Sequence, residues 1–163
     1  MSDMIHQPIA PFIEQFLTTI LGTIASNGYP FSSYAPFYYD GAKIYLFLSD
    51  IATHAQNIQA TPKVSCMFIE DESKSSNLFA RKRITMQCDA KIISRDDAHY
   101  TQIIEAFQKR HPTIEMLSSM QDFRLYCLTP FYGEATFGFG EAYRIGGEDM
   151  NRFVPRDNPG GHQ

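Results

Sequence analysis

Closely spaced turn signals constrain the fold of this chain more than any other feature. The dipeptides Asn27-Gly28 and Asp40-Gly41 separate short apolar runs. Such pairs favour tight hairpin turns between antiparallel strands. The runs cover residues 22–26, 31–39 and 43–48. The sequence therefore predicts a three-stranded meander in the first third of the chain.

A longer strand is predicted at residues 81–94, where apolar and polar residues alternate. Ile84, Met86 and Cys88 fall on one face, and polar side chains fall on the other. Further strands are predicted at 63–69, 123–128 and 134–145.

Helical patterns lie between these strands. Pro11 stands at a first-turn position before apolar residues that continue to Ile20, and Thr53 is placed to cap a second helix. A last helical turn is expected through Met150 and Phe153. The clearest helix follows Asp96 and Asp97 and carries the apolar stripe Tyr100, Ile103, Ile104 and Phe107.

These elements predict one α+β domain, mainly β, over residues 1–153, followed by a C-terminal loop or arm at 154–163. The chain has 163 residues, of which 44% are hydrophobic, which is enough for one packed core. About six or seven strands at close spacing favour a barrel or closed meander with flanking helices.

Charge and cysteine content narrow the class of function. A net charge of −4 argues against general binding to nucleic acid or to anionic membranes. The start of the chain lacks a secretory pattern, and no apolar run is long enough to span a bilayer. We therefore expect a cytoplasmic protein. The cysteines lie in separate apolar runs and are expected to be core residues: Cys66, Cys88 and Cys127.

Two short motifs are candidates for ligand binding. The guanidinium groups of Arg81 and Arg83 can bind an anion together, although a charged edge strand explains the same residues. Phe137-Gly138-Phe139-Gly140 places glycines within a predicted strand, where either a ligand approaches closely or the barrel turns a corner.

Histidines give two further candidates. His54 follows the third predicted strand, where it could meet a cofactor phosphate or simply lie at the surface. His162 is close to the C-terminus on a Gly- and Pro-rich segment, so its imidazole could close over a site. Since no other histidine is near in sequence, metal binding by His162 requires the remaining ligands to come from a cofactor such as a porphyrin.

Several motifs together resemble the haem-utilisation proteins of the HugZ/HutZ type, within the pyridoxamine-phosphate-oxidase-like split-barrel superfamily. The resemblance covers about residues 21–153. Its most specific parts are the Phe-Ala-Arg-Lys-Arg block at 79–83, Gln-Asp-Phe at 121–123 and Gly-Phe-Gly-Glu-Ala-Tyr at 138–143.

The resemblance implies a homodimeric split barrel with haem bound between the subunits. It also implies haem degradation to a biliverdin-type product, with release of iron, using oxygen and an external electron donor. His162 is expected to be the axial iron ligand and Asp122 to support it, with Arg83 across the haem. Arg81 and Lys82 are expected to pair with propionates.

Two alternatives remain open from the sequence. A flavin-dependent oxidoreductase of the same superfamily would hold FMN through the region of Ser49, His54, Asn57 and Arg81. A non-catalytic haem carrier would use the same site as the haem-degrading enzyme.

Overall fold

Alternation of apolar and polar residues produces one antiparallel sheet that curls into a half-barrel. The computed structural model describes residues 2–156, with Ser2 described by its backbone only, and this part contains nine strands and four α-helices. The strands are β1 Thr18–Ile24, β2 Pro30–Pro36, β3 Tyr38–Tyr39, β4 Ile44–Ser49, β5 Lys63–Ile69, β6 Arg83–Ile93, β7 Phe123–Thr136, β8 Ala142–Gly146 and β9 Arg152–Pro155. The helices are α1 Ala10–Ile13, α2 Thr53–Ala60, α3 Tyr100–Arg110 and α4 Ile114–Leu117.

Strand β7 is the centre of the sheet. The strand order is β2-β1-β5-β6-β7-β4-β3, and β8 joins β7 and β9 at one end. The register between β6 and β7 shifts after Gln87, where Tyr132 is its partner and Pro130 is the partner of the next residue. Such a bulge bends a strand and increases its twist, which helps the sheet to curl.

The core has two parts. The inner face of the sheet encloses the main cluster, which includes Phe68, Met86 and Tyr126. A second cluster packs the other face of β4 and β7 against α3 and α4, with Phe107 at its centre. All three cysteines are buried and unpaired, as the sequence predicts. Full burial of each large apolar side chain stabilises the fold by about 1.5–3 kcal/mol.

The predicted N-terminal helix to Ile20 is wrong, because α1 ends at Ile13 and β1 begins at Thr18. Thr19 explains the change, since β-branched residues favour strands. Its hydroxyl donates to the Met67 carbonyl at 3.1 Å. The side chains from Thr19 onward alternate between the core and the outer face, so Ile20 lies on the outer face.

The predicted three-stranded meander is confirmed in its two hairpins but not in its strand order. Both hairpins form, and the Asp40 carboxylate holds the second by accepting from the Ala42 and Lys43 amides at 2.9 and 2.7 Å. The second predicted strand breaks at Phe37, however, so β2 and β4 lie on opposite sides of the strand order. The barrel is split between them. Thr53 is also not a cap, since Ala52 occupies the N-cap position without a side-chain bond.

The Gly-Phe-Gly segment is a turn and not a strand. β7 continues as one strand to Thr136, and the chain then turns before β8 begins at Ala142. Gly138 and Gly140 have φ values of 151° and 74°, which side chains with a Cβ rarely adopt. The predicted last helical turn forms over Glu148–Met150 as a 3-10 turn, but it does not extend to Phe153, which belongs to β9.

Strand β6 is slightly shorter than the strand predicted at residues 81–94. Its buried face carries Ile84, Met86 and Cys88, as predicted. The strand begins at Arg83, so Arg81 and Lys82 precede it. At the C-terminus the structure describes the chain to Arg156, and the predicted boundary between residues 153 and 154 stays a prediction.

Candidate functional site

The ends of two neighbouring strands bring Ser49 and Asp122 together across 73 residues of sequence. Ser49 ends β4 and pairs with Phe123, the first residue of β7. Its hydroxyl donates to Asp122 Oδ2 at 2.6 Å, and the Asp50 amide donates to the Asp122 carbonyl at 2.7 Å. A short hydrogen bond to a carboxylate is a strong one, so the orientation of the Asp122 side chain is fixed.

The other carboxylate oxygen, Asp122 Oδ1, has no hydrogen-bond partner among residues 2–156. An ionised carboxylate accepts at both oxygens. Asp122 is half-buried, so Oδ1 is available to a donor that enters the site.

A cavity of about 700 Å³ lies beside this pair, and both Ser49 and Phe123 line it. Its volume falls in the range of roughly 300–1,000 Å³ that is usual for small-molecule sites. The sheet supplies Phe47 and Tyr34, and the helical side supplies Phe107 and Leu117. The walls are therefore mainly apolar and aromatic, with a few polar groups.

His54 also lines this cavity. Its Nδ1 lies 2.9 Å from the Ser33 hydroxyl. Burial lowers the pKa of the His54 imidazole below its ordinary value, so the ring is neutral at pH 7. A neutral imidazole is a poor partner for a phosphate.

Two cavity residues, Arg110 and His111, escaped the sequence reasoning. His111 Nε2 lies 2.9 Å from the Phe37 carbonyl, and its ring packs on Phe107. Arg110 donates to the carbonyls of Glu14 and Phe16 at 3.1 and 2.8 Å. These bonds attach the C-terminal end of α3 to the connections before β1 and between β2 and β3. Helical spacing was the available signal, because His111 is four positions beyond Phe107 and shares its face.

Asn57 has a different environment from Ser49 and His54. Its side chain is buried, and Nδ2 donates to Thr23 Oγ1 at 3.1 Å. A buried amide with a partner inside the core stabilises α2 against β1.

The basic cluster lies at the opposite end of β7. Arg83 pairs with Thr136, whereas Asp122 precedes the first residue of the strand. The 14 residues of β7 extend for about 45 Å along their contour. Within one copy of the chain, Arg83 and Asp122 therefore lie at opposite ends of this long strand.

Backbone carbonyls hold both arginines of this cluster. Arg81 Nε donates to the Glu70 carbonyl at 2.6 Å, and Arg83 Nη1 donates to the Arg81 carbonyl at 2.8 Å. Both side chains are half-buried, while Lys82 is exposed. The remaining guanidinium N–H groups have fixed directions.

His162 lies outside the described residues. Within residues 2–156, no three side chains of His, Cys, Asp or Glu come together as a metal site. Within the same residues, no helix is long and apolar enough to cross a membrane.

Comparison with known proteins identifies relatives of this chain. Residues 5–137 match the pyridoxamine 5'-phosphate oxidase family. The haem oxygenase HutZ of Vibrio cholerae serotype O1 is 40% identical over 147 residues, which are 90% of this chain and 84% of HutZ.

Two crystal structures share both fold and sequence with this chain. HutZ, described there as the haem storage protein from Vibrio cholerae, has a TM-score of 0.74 at 37% identity, over 80% of this chain and 94% of HutZ. ChuZ of Campylobacter jejuni has a TM-score of 0.80 at 30% identity. That alignment covers 95% of this chain and 63% of ChuZ.

Proposed function

We propose a haem-binding and haem-degrading function for this chain, which belongs to the pyridoxamine 5'-phosphate oxidase family and, within it, to the HugZ/HutZ type. The observation that carries the proposal is the Ser49–Asp122 pair beside an apolar cavity, in a chain 40% identical to a haem oxygenase. Haem is the substrate in this proposal.

The cavity suits a flat and largely apolar molecule. Aromatic side chains from the sheet and from α3 and α4 form its walls, and its volume fits a small-molecule ligand. Burial of the porphyrin against these walls supplies the main favourable term in binding, since the hydrophobic effect scales with the apolar area removed from water.

Asp122 is suited to support a histidine that binds the iron. A carboxylate that accepts the second N–H of such a histidine fixes its tautomer and raises its basicity. Asp122 Oδ1 is open for that bond, and Ser49 prevents the carboxylate from rotating away. We assign the iron-binding role to His162.

The complete site requires two copies of the chain in this proposal. Arg83 and Asp122 lie at opposite ends of β7, so a site that contains both takes one from each copy. A two-fold homodimer forms two identical sites of this kind. Arg81 and Lys82 then lie beside Arg83 and bind the carboxylates of the substrate.

Enzyme and carrier share this site, and HutZ itself is described both as a haem oxygenase and as a haem storage protein. We favour the enzyme, because a carboxylate-supported imidazole makes the iron more electron-rich. FMN is less suited to the site. Ser49 and His54 line the cavity, whereas the Asn57 side chain is buried and bonds within the core.

Titration with haemin tests the binding site. We expect a Soret band to form with wild-type protein, and to shift and weaken with His162→Ala and Asp122→Asn. Asp50→Asn, which removes the neighbouring charge, is the matched control and should bind as wild type does. Equal spectra for all four proteins would contradict the assigned site.

Turnover separates the three functions. Haem with oxygen and a reductant gives a biliverdin-type pigment and free iron if the protein is an enzyme using an external electron donor. Stable haem identifies a carrier. Yellow protein that releases FMN on unfolding identifies a flavoprotein.

A further inference from the structure

A second cavity, of about 300 Å³, lies between the end of β6, the start of α3 and the start of β7. Within residues 2–156, Phe123 is the one residue that it shares with the larger cavity beside Ser49. Its volume is at the lower end of the range that is usual for small-molecule sites. The proposed haem site therefore leaves this second cavity without a role.

Tyr100, the first residue of α3, lines this cavity and carries a hydroxyl that the protein leaves unpaired. The side chain is only 9% exposed, and its hydroxyl has no hydrogen-bond partner in the described part of the chain. Buried polar groups in folded proteins almost always have a partner, because burial removes them from water. A ligand in the cavity would supply the partner that Tyr100 lacks.

Two exposed arginines line the same cavity and keep N–H groups available. Arg95 Nη1 and Nη2 donate to the carbonyls of Ser118 and Met120 at 3.1 and 2.8 Å. Arg124 Nε donates to the Asp50 carboxylate at 2.9 Å. These bonds hold both guanidinium groups in place. Among residues 2–156, Arg95 Nε and both Nη atoms of Arg124 have no partner, and such groups bind carboxylates well.

The lining of this cavity is positively charged, although the chain has a net charge of −4. Its described lining residues include two arginines and no carboxylate. Asp96 and Asp97 follow Arg95 in the sequence, but neither lines the cavity, and Asp50 compensates only Arg124. An anionic ligand is therefore favoured over a neutral or cationic one.

The rest of the lining is mainly apolar. It includes Phe123 and Leu125 of β7 and two isoleucines at the end of β6. The Phe123 ring stacks on Phe47, with ring centroids 5.4 Å apart, so its position is fixed. A flat ring in the ligand can pack against such a surface.

We propose that this cavity binds a small aromatic carboxylate that also carries a hydroxyl group. The carboxylate accepts from Arg95 and Arg124 on the exposed side, and the ring packs on Phe123. The hydroxyl of the ligand pairs with the buried Tyr100 hydroxyl. Neither haem nor a second copy of the chain takes part, so this site and the proposed function can fail independently of each other.

Titration calorimetry with 4-hydroxybenzoate tests the site. We expect saturable binding to the wild-type chain. Benzoate, which lacks the hydroxyl, should bind about three- to tenfold more weakly, as expected for the loss of one hydrogen bond. The uncharged 4-hydroxybenzyl alcohol should bind at least about tenfold more weakly, because it cannot pair with the arginines. Absence of saturable binding of 4-hydroxybenzoate overturns the proposal.

Tyr100→Phe is the decisive variant, because it removes only the hydroxyl. Its free energy of unfolding should not fall, since that hydroxyl has no partner among residues 2–156. The affinity for 4-hydroxybenzoate should fall to that of benzoate, while the affinity for benzoate stays as in wild type. An equal loss for both ligands, or no loss for either, overturns the proposal.

Arg124→Gln tests the charged side of the cavity. It should weaken the binding of both carboxylates by about tenfold, because charge-assisted hydrogen bonds are lost. Arg152→Gln is the matched control, since Arg152 is exposed and does not line this cavity. That variant should bind as wild type does. Equal weakening by the two arginine variants would mean that only net charge matters, which overturns the assigned site.

Discussion

The two ends of β7 differ in how far one chain completes them. At the Asp122 end, the carboxylate has its serine donor, the cavity has its walls, and Arg110 and His111 attach α3 to the connections before β1 and between β2 and β3. At the Thr136 end, aromatic side chains are exposed. Within residues 2–156, Arg81 and Arg83 bond to nearby carbonyls, and Arg81 lies 3.9 Å from Glu72. At the Asp122 end, one chain therefore forms the cavity by itself. The second end is a solvent-exposed surface, which the proposed homodimer would cover.

This difference explains how one short domain could form a site for a large planar substrate. A preformed cavity reduces the entropy cost of binding, because its side chains are already ordered. In the proposed homodimer, a second copy supplies the groups that the cavity lacks. The division also explains why the two parts of the proposed site are separated by nearly the whole length of β7.

Asp122→Asn should have the largest effect at the preformed end. The substitution keeps the shape of the side chain but removes its charge, and loss of a group that supports a metal ligand typically costs about 10–100-fold in activity. The rate of pigment formation from haem measures it. Asp50→Asn should change the rate by no more than about twofold, because its exposed pair with Arg124 contributes little. An equal loss of rate in both variants would mean that activity depends on the total negative charge at this end of β7 and not on Asp122 specifically.

Asn57→Ala should destabilise the same end without affecting binding. It leaves Thr23 Oγ1 without its buried donor, which lowers the free energy of unfolding by about 1–3 kcal/mol. Asn77→Ala at the exposed end should change the free energy of unfolding by only about 0.5 kcal/mol. Urea denaturation measures the free energy of unfolding of both variants. If Asn57→Ala unfolds as wild type does but binds haemin or FMN more weakly, Asn57 is a ligand, as the flavin hypothesis predicts.

Lowering the pH should reduce the stability of the folded protein through protonation of His54. Burial lowers its pKa in the folded protein below the value of about 6.5 for an unfolded chain, so the unfolded state binds more protons in this range. Stability therefore falls as the pH decreases below about 6.5. One proton gives a slope of at most about 1.4 kcal/mol per pH unit, and the half-exposed ring gives less. His54→Gln should flatten the profile between pH 7.5 and 5; an unchanged slope would remove His54 as the cause.

Lys82→Ala should have the smallest effect, at the exposed end. A solvent-exposed ammonium group contributes little to the binding of an anion, so the dissociation constant for haemin should rise by no more than about threefold. Lys74→Ala should leave the dissociation constant for haemin unchanged. A rise of tenfold or more for Lys82→Ala would mean that dimerisation buries Lys82.

Local patterns predicted much of the fold. Alternation in β6 placed Ile84, Met86 and Cys88 on the buried face, and both hairpin turns form where the sequence signals them. Errors arose where tertiary pairing overrides local spacing. The residues after Leu17 have helical spacing, yet the pairing of β1 with β5 makes them a strand. Glycines were interpreted as strand residues at 138 and 140, where their positive φ values allow a turn.

The site was less accessible to sequence reasoning than the fold. The pairing of Ser49 with Asp122 depends on the register between β4 and β7, which no local pattern contains. The resemblance to known proteins drew attention to Asp122 and Arg83, but not to their separation within one chain. No sequence motif singled out His111, which bonds to the Phe37 carbonyl and lines the cavity.

Activity of mixed dimers tests most directly whether the two ends of β7 join between copies. Arg83→Ala and Asp122→Asn should each be nearly inactive in haem degradation alone. When the two variants are co-expressed, about half of the dimers contain one of each, and each of these has one intact site. We predict recovery of about one quarter of wild-type activity. Activity no higher than the mean of the two variants, in a sample shown to contain mixed dimers, would contradict the account.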